Sequence, residues 1–259
     1  MKHDPLHIPR WQSVLLAFWM WPVVTVDTLF SAILGLLFVF PVSLLIDRGS
    51  RRTTHIVAIA WAKVLFTLTF IWTIRVKGRR HIDRKKNYVL VVNHQSLLDI
   101  MALIYAIPLH IVYLAKRELF SIPFMGWYMH AMRYIPVDRA SRESGRKALA
   151  RCAFMLKKKV SVVFFPEGTR TPDGQIHAFK SGAFQLASVE GVDILPVVID
   201  GTGTAMPKKS IFVNRRSVFR VSVLEPVKVG LGPKAVESAK RHVREKMIQE
   251  LAAMRAEGF

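Results

Sequence analysis

Cysteine is nearly absent: the 259-residue chain has one, Cys152. An internal disulfide and any multi-cysteine metal site are therefore excluded. Cys152 lies in the helical pattern 146–156 and reads as a small core residue rather than a nucleophile. Acidic residues are scarce, 18 against 38 Lys and Arg, for a net charge of +20. That imbalance calls for an anionic partner, which leaves nucleic acid, anionic lipid or an acidic or phosphorylated substrate. No nucleic-acid reader motif is present. A hydrophobic content of 51% turns the choice toward a membrane surface and away from nucleic acid. A Walker loop, a dinucleotide fingerprint, an internal repeat and a low-complexity tract are all missing as well.

Charge is also missing from two long stretches near the start. Residues 11–26 carry none, nor do residues 28–46, with Asp27 between them. The second run has 19 residues, about 28 Å as a helix and close to the thickness of a hydrocarbon core. Lys2 and Arg10 precede the pair, and Arg48, Arg51 and Arg52 follow it. The positive-inside rule then places both ends on the cytoplasmic side. A helical hairpin with its tip near Asp27 satisfies this, either spanning the bilayer or entering one leaflet. A cleaved signal peptide fits poorly, because no A-x-A-like site follows the first run. Residues 56–72 form a further apolar stretch, broken by Lys63, that suits an interfacial helix or a core helix equally.

What is present beyond residue 75 alternates between strand and helix patterns. Strands are expected at 88–92, 110–115, 135–137, 160–165 and 194–199, with one or two more in 217–229. Helices are expected at 96–107, 124–132, 144–158 and 178–190, and Gly232-Pro233 opens a basic amphipathic C-terminal helix. The class is α/β: a mixed, largely parallel sheet flanked by helices, with an N-terminal membrane-associated helical hairpin. Membrane-associated helices at 1–75, an α/β domain at 76–230 and the C-terminal helix at 231–259 make up the expected organisation.

One stretch organises the rest, Tyr88-Val-Leu-Val-Val-Asn-His-Gln-Ser-Leu-Leu-Asp99. It puts Asn93 and His94 at the C-terminal end of a buried strand, where open α/β sheets do their chemistry. Positions five apart on one helix lie about 140° apart, so His94 and Asp99 meet only if His94 sits on the loop and Asp99 in the first helical turn. Ser96-Leu-Leu-Asp99 supports that placement as a capping-box pattern. The pair is then either a general base with its orienting carboxylate, or a loop histidine beside a helix cap. A second strand end carries Pro166-Glu-Gly-Thr-Arg170. There Gly168 allows a sharp turn, and Thr169 and Arg170 offer donors suited to a phosphate, unless the loop is plain and its arginine solvated.

Together these segments resemble the glycerolipid acyltransferases. Asn93-His-Gln-Ser-Leu-Leu-Asp99 matches their N-H-x4-D block. Lys116-Arg-Glu-Leu119, Pro123, Gly126 and Asp138-Arg139 look like the second block, and Phe165 to Arg170 with Phe179-Lys-Ser-Gly182 like the third. Leu195-Pro-Val197 is similar to the fourth. The resemblance spans roughly residues 75–230 and is strongest to the bacterial 1-acyl-sn-glycerol-3-phosphate acyltransferases. It implies acyl transfer from a thioester to the sn-2 hydroxyl of lysophosphatidic acid, giving phosphatidic acid. His94 would be the base and Asp99 its partner, with oxyanion stabilisation or support from the 93–96 turn, Asn93 and Ser96. Substrate binding would fall to Lys116, Arg139, Glu167, Gly168, Thr169 and Arg170, with Glu167 beside the glycerol and no metal.

No bound cofactor is implied; acyl-CoA or acyl carrier protein is the donor co-substrate. The implied location is the cytoplasmic face of a bacterial inner membrane, among lysophosphatidic acid and anionic phospholipids. Arg133 departs from the family, which usually has glycine there. Either the turn is built differently or Arg133 contacts a head group. Another lysolipid acceptor, such as a lyso-ornithine lipid, and a non-catalytic protein that binds anionic lipid remain the competing readings.

Overall fold

The structure is a computed structural model that describes residues 10–69, 71–138, 140–206 and 217–257. Its first element is long. Helix α1 (Arg10–Leu34) passes through one π-helical turn at Gly35–Val39 directly into α2 (Phe40–Ile46). Pro41 explains the widened turn, since a proline ring clashes with the carbonyl four residues back and removes a helical donor. The segment Val14–Ile46 is long and apolar enough to cross a membrane, and few of its residues are buried against the protein. It marks the chain as membrane-associated.

The expected hairpin with its tip near Asp27 is not formed: residues 10–46 run as one continuous helix, and the chain turns only after it. The chain reverses at residues 47–51 and returns as α3 (Arg52–Thr69). Thr54 bonds Ser43 and Trp61 bonds Thr28, so the two arms run antiparallel. Asp27 sits mid-helix, and the reversal at Asp47-Arg-Gly-Ser-Arg51 uses positive-φ backbone at Arg51, φ +64°.

Among the described residues seven strands form one sheet: β1 (Trp72–Lys77), β2 (Val89–Val92), β3 (Ile111–Lys116), β4 (Ile135–Val137), β5 (Ser161–Phe164), β6 (Ile194–Asp200) and β7 (Ser217–Val223). Their order is β1-β7-β6-β2-β5-β3-β4, parallel throughout except between β6 and β7. Strand β1 replaces the end of the expected helix and the start of the expected charged connector, and the 75/76 boundary falls inside it. Its alternation puts Arg75 and Lys77 on an edge strand, where charge is common. The second candidate strand in 217–229 reduces to an isolated bridge between Val227 and Ile194. At 178–190 the helix begins only at α7 (Gly182–Glu190), with 178–181 outside regular secondary structure.

The pleat divides the core. Leu90 and Val92 face α3 and α4 (Leu98–Ala106) on one side. Val89 and Val91 face α6 (Arg142–Lys157), α7 and α9 (Pro233–Ala256) on the other. All four β2 side chains are buried, as a period-two strand between two helix layers requires. Cys152 belongs to the second cluster, and burial pushes its thiol up to about 12.

Candidate active site

Strand β2 lies between β5 and β6, so three strand ends deliver their loops to one place. The loops are tied to one another through the backbone. His94 N–H donates to Glu167 Oε1 at 3.0 Å, and His177 N–H to Glu167 Oε2 at 3.1 Å. Thr171 N–H returns a bond to the His94 carbonyl at 2.8 Å. Gly168 turns the loop with φ +79°, and a side-chain carbon there would strike Lys180.

His94 Nδ1 lies 2.8 Å from Asp99 Oδ2, the contact that the spacing predicts. Asp99 is fully buried and takes three further donors: Gln95 N–H at 2.8 Å, Ser96 N–H at 3.0 Å and Thr202 Oγ1–H at 2.5 Å. A carboxylate accepting four bonds is held in place and cannot swing away. Its bond at Nδ1 leaves His94 Nε2 as the nitrogen able to accept a proton. The imidazole stacks on Phe165 with centroids 4.1 Å apart, which fixes the ring plane.

Half of the capping box is present. Asp99 reaches back to Ser96 N–H, but Ser96 Oγ donates to Met206 O at 3.0 Å instead of capping α4. The oxyanion expectation is corrected. The N–H groups of residues 94, 95 and 96 already point at carboxylates, and both ends of the Asn93 amide bind the Ile199 backbone at 2.8 Å. Asn93 and Ser96 are supports: one locks β2 to β6, the other anchors the loop after it.

His94 opens into a cavity of about 600 Å³, within the range of ligand pockets. Thr28, Ser31 and Ala32 of α1, Ala58 and Trp61 of α3, and Ile100 and Ile104 of α4 wall it. Tyr113 and Tyr128 turn their hydroxyls onto the carbonyls of Ile100 and Thr54, so the lining stays apolar. Burial holds the Tyr113, Tyr128 and Tyr134 phenols above their ordinary range and hence neutral.

Lys116, Thr169 and Arg170 line the same cavity as His94. Glu167 is committed to the loop backbone. Burial raises its carboxyl, two backbone N–H bonds pull it back, and both oxygens fasten the loop. Arg139 lies outside the described residues. Arg133 adopts φ +58°, backbone that a glycine takes more readily than an arginine. Its guanidinium donates to Arg48 O at 3.0 Å and is not part of the cavity wall.

Three contributors escaped the sequence. Gln95 bonds Asp200 at 3.2 Å, and Thr202 follows the tight turn at Gly201 after β6. Arg255, in the last turn of α9, donates to Asp200 at 3.0 Å and to Gly174 O at 2.8 Å, tying helix, strand end and loop together. The Gly201-Thr202 pair directly after a buried strand was the available signal; nothing in sequence marked Arg255.

Comparison with known proteins bears on this arrangement directly. Residues 73–200, from β1 to the end of β6, match the family model described as Acyltransferase. A protein of Borreliella burgdorferi named 1-acyl-sn-glycerol-3-phosphate acyltransferase is 33% identical over 168 residues, 65% of this chain and 67% of that protein. The chain belongs to the acyltransferase family. A chloroplastic 1-acyl-sn-glycerol-3-phosphate acyltransferase of Arabidopsis thaliana is 36% identical over 188 residues, and the match covers 72% of this chain. The chain spans about half the length of that relative, 52%. The crystal structure of a 1-acyl-sn-glycerophosphate acyltransferase from Thermotoga maritima superposes with a TM-score of 0.81 at 29% identity, covering 95% of this chain and 97% of that one. The segment matched by the acyltransferase model contains His94, Asp99 and the Glu167–Arg170 loop, but neither Thr202 nor Arg255.

Proposed function

We propose that the chain transfers a fatty acyl group from a thioester to the sn-2 hydroxyl of 1-acyl-sn-glycerol-3-phosphate, giving phosphatidic acid. The observation that carries this reading is the His94–Asp99 pair, 2.8 Å apart, at an apolar cavity that Lys116 and Arg170 also line. The acceptor's phosphate pairs with those two cations, which sets its free hydroxyl beside His94 Nε2. His94 takes the hydroxyl proton as the oxygen attacks the thioester carbonyl carbon, and Asp99 stabilises the imidazolium that forms. Collapse of the tetrahedral intermediate breaks the C–S bond, and the departing thiolate takes the proton back from His94. No acyl-enzyme is required, in keeping with a buried, protonated Cys152.

The cavity accepts an acyl chain, and the long α1–α2 helix that walls it keeps the opening at the membrane. The donor is acyl-CoA or acyl carrier protein, both acidic and attracted by the net charge of +20. The cations after Ile46, read by the positive-inside rule, support a position on the cytoplasmic face of a bacterial inner membrane.

The test is turnover in detergent micelles with each donor and separate lysolipid acceptors. Acylation of lysophosphatidic acid, abolished in His94→Ala, supports the reading. Preference for another lysolipid moves the acceptor assignment, and absence of turnover with every donor and acceptor overturns the chemistry.

A further inference from the structure

A second group of cations sits toward the N-terminal ends of β4 and β5, away from the C-terminal strand end that carries His94. Arg48 and Arg51 lie on the turn between α2 and α3, Arg133 precedes β4, and Lys158 with Lys159 precedes β5. They belong to one cluster. Arg133 donates to Arg48 O, and the Arg133 and Lys158 head groups lie 5.9 and 5.7 Å from the centre of the Phe154 ring. Lys158 also lies along Gly49. Arg51 stacks on Phe40 at 4.9 Å.

Three features make this more than a solvated basic face. Arg51 is only 8% exposed, and its Nη1 has no hydrogen-bond partner; Nε of Arg133 is likewise buried and unpartnered. Asp47 is the acidic group at the turn; one oxygen accepts Thr53 N–H, the other is buried without a hydrogen-bond partner, and this single carboxylate faces the charges of Arg48, Arg51, Arg133 and Lys158. Four non-glycine residues have left-handed backbone among those described, and three are Arg51, Arg133 and Lys159, at φ +64°, +58° and +58°. Holding like charges together on strained backbone is unfavourable unless an anion joins them. Next to the cluster, Leu45 and Ile46 are 86% and 68% exposed at the end of the long apolar helix. An anion reaching this place therefore arrives from a surface that also covers leucine and isoleucine.

We propose that Arg48, Arg51, Arg133 and Lys158 bind the phosphate of an anionic phospholipid, at a site separate from the catalytic cavity. The lipid's acyl chains lie along Leu45 and Ile46, and its phosphodiester takes the unpartnered donors of Arg51 and Arg133. This rests on the membrane placement proposed above but not on the acyl-transfer chemistry.

The test is sedimentation of the full chain with vesicles of phosphatidylcholine, alone or mixed with phosphatidylglycerol, with no acyl donor present. Arg133→Gly suits the backbone it enters, and Lys158→Gln changes an exposed side chain, so the pair is expected to fold; a thermal midpoint checks this, and Lys158→Gln alone is the fallback. Each charge removed lowers binding to the mixed vesicles about five-fold, some 25-fold for the pair, with binding to pure phosphatidylcholine unchanged. The control pair Lys234→Gln and Arg241→Gln, exposed on α9, has a much smaller effect. Equal losses for the two pairs would mean diffuse charge attraction and overturn the site, as would no loss for the first pair. Displacement from the mixed vesicles by millimolar inorganic phosphate would assign the cluster to a free anion and overturn the lipid assignment. Failure of acyl transfer leaves these outcomes intact, because no turnover is measured.

Discussion

Replacing Asp99 by asparagine turns one oxygen of a fully buried carboxylate into an amide nitrogen, and the surroundings dictate which one. Oδ2 receives three N–H donors, from His94, Gln95 and Ser96, that an amide NH2 would meet head on. Oδ1 receives one donor, the Thr202 hydroxyl, which can rotate and accept instead. The asparagine therefore places its oxygen where Oδ2 was and its nitrogen toward Thr202, and the His94 tautomer is kept. What is lost is the negative charge facing the imidazolium. Two unit charges about 4 Å apart at an effective dielectric near 20 interact by about 4 kcal/mol. The expected fall in kcat is thus about 10²- to 10³-fold, short of the roughly 10⁴-fold loss of a mis-set tautomer. Steady-state thioester cleavage, followed by thiol release, gives kcat and the acceptor KM, the latter unchanged. Adding Thr202→Val removes the acceptor for the amide nitrogen and deepens the loss beyond the product of the single effects. Activity of Asp99→Asn within about three-fold of the parent would refute the electrostatic role given to the carboxylate charge. Loss as complete as in His94→Ala would refute the part given to Thr202.

Arg170→Lys loses a paired donor to the acceptor phosphate and should raise KM about ten-fold or more with a smaller change in kcat, read from acceptor titrations. Gly78→Ala places a methyl against Val223 O on backbone at φ +77°, and should lower the thermal midpoint by several degrees, read by circular dichroism. His55 and His110, buried with ring centres 4.9 Å apart, are pulled by burial from 6.5 to about 4 and about 3. Below 6.5 the unfolded chain binds the extra protons, so stability is full above that pH and drains as pH falls toward 4 and then 3. From about pH 7 to about pH 5 the loss is on the order of 3 to 4 kcal/mol, measurable by urea unfolding and reduced in His110→Leu. Alkylating reagents should leave native activity intact, because Cys152 is buried with its thiol pushed up to about 12.

The legible parts of this chain were those written locally. Alternation in residues 88–92 and the five-residue step from His94 to Asp99 depend on neighbours in sequence, and both the strand and the contact are there. Thr202, Gln95 and Arg255 converge through strand order and helix docking, which local pattern does not encode. The oxyanion assignment failed for a related reason: counting N–H groups in a turn does not show that Glu167 and Asp99 already take them. At the N-terminus one carboxylate in an apolar run looked like a turn. Continuous backbone hydrogen bonding is worth more in apolar surroundings than exposing Asp27, so the helix runs on to Asp47. Strand β1 was hidden because an edge strand with alternating charge reads like a polar connector.

The tie made by Arg255 sets an order of events during synthesis. Chains fold from the N-terminus as they emerge, at roughly 5 to 20 residues per second. The α1–α2 helix therefore reaches a bilayer long before Arg255 exists to bind Asp200 and Gly174. Over most of its synthesis the apolar helix is therefore available to a lipid surface while Asp200 and Gly174 still lack their Arg255 donor. Membrane targeting precedes competence, and a chain that misses the bilayer is not yet an enzyme when it does so.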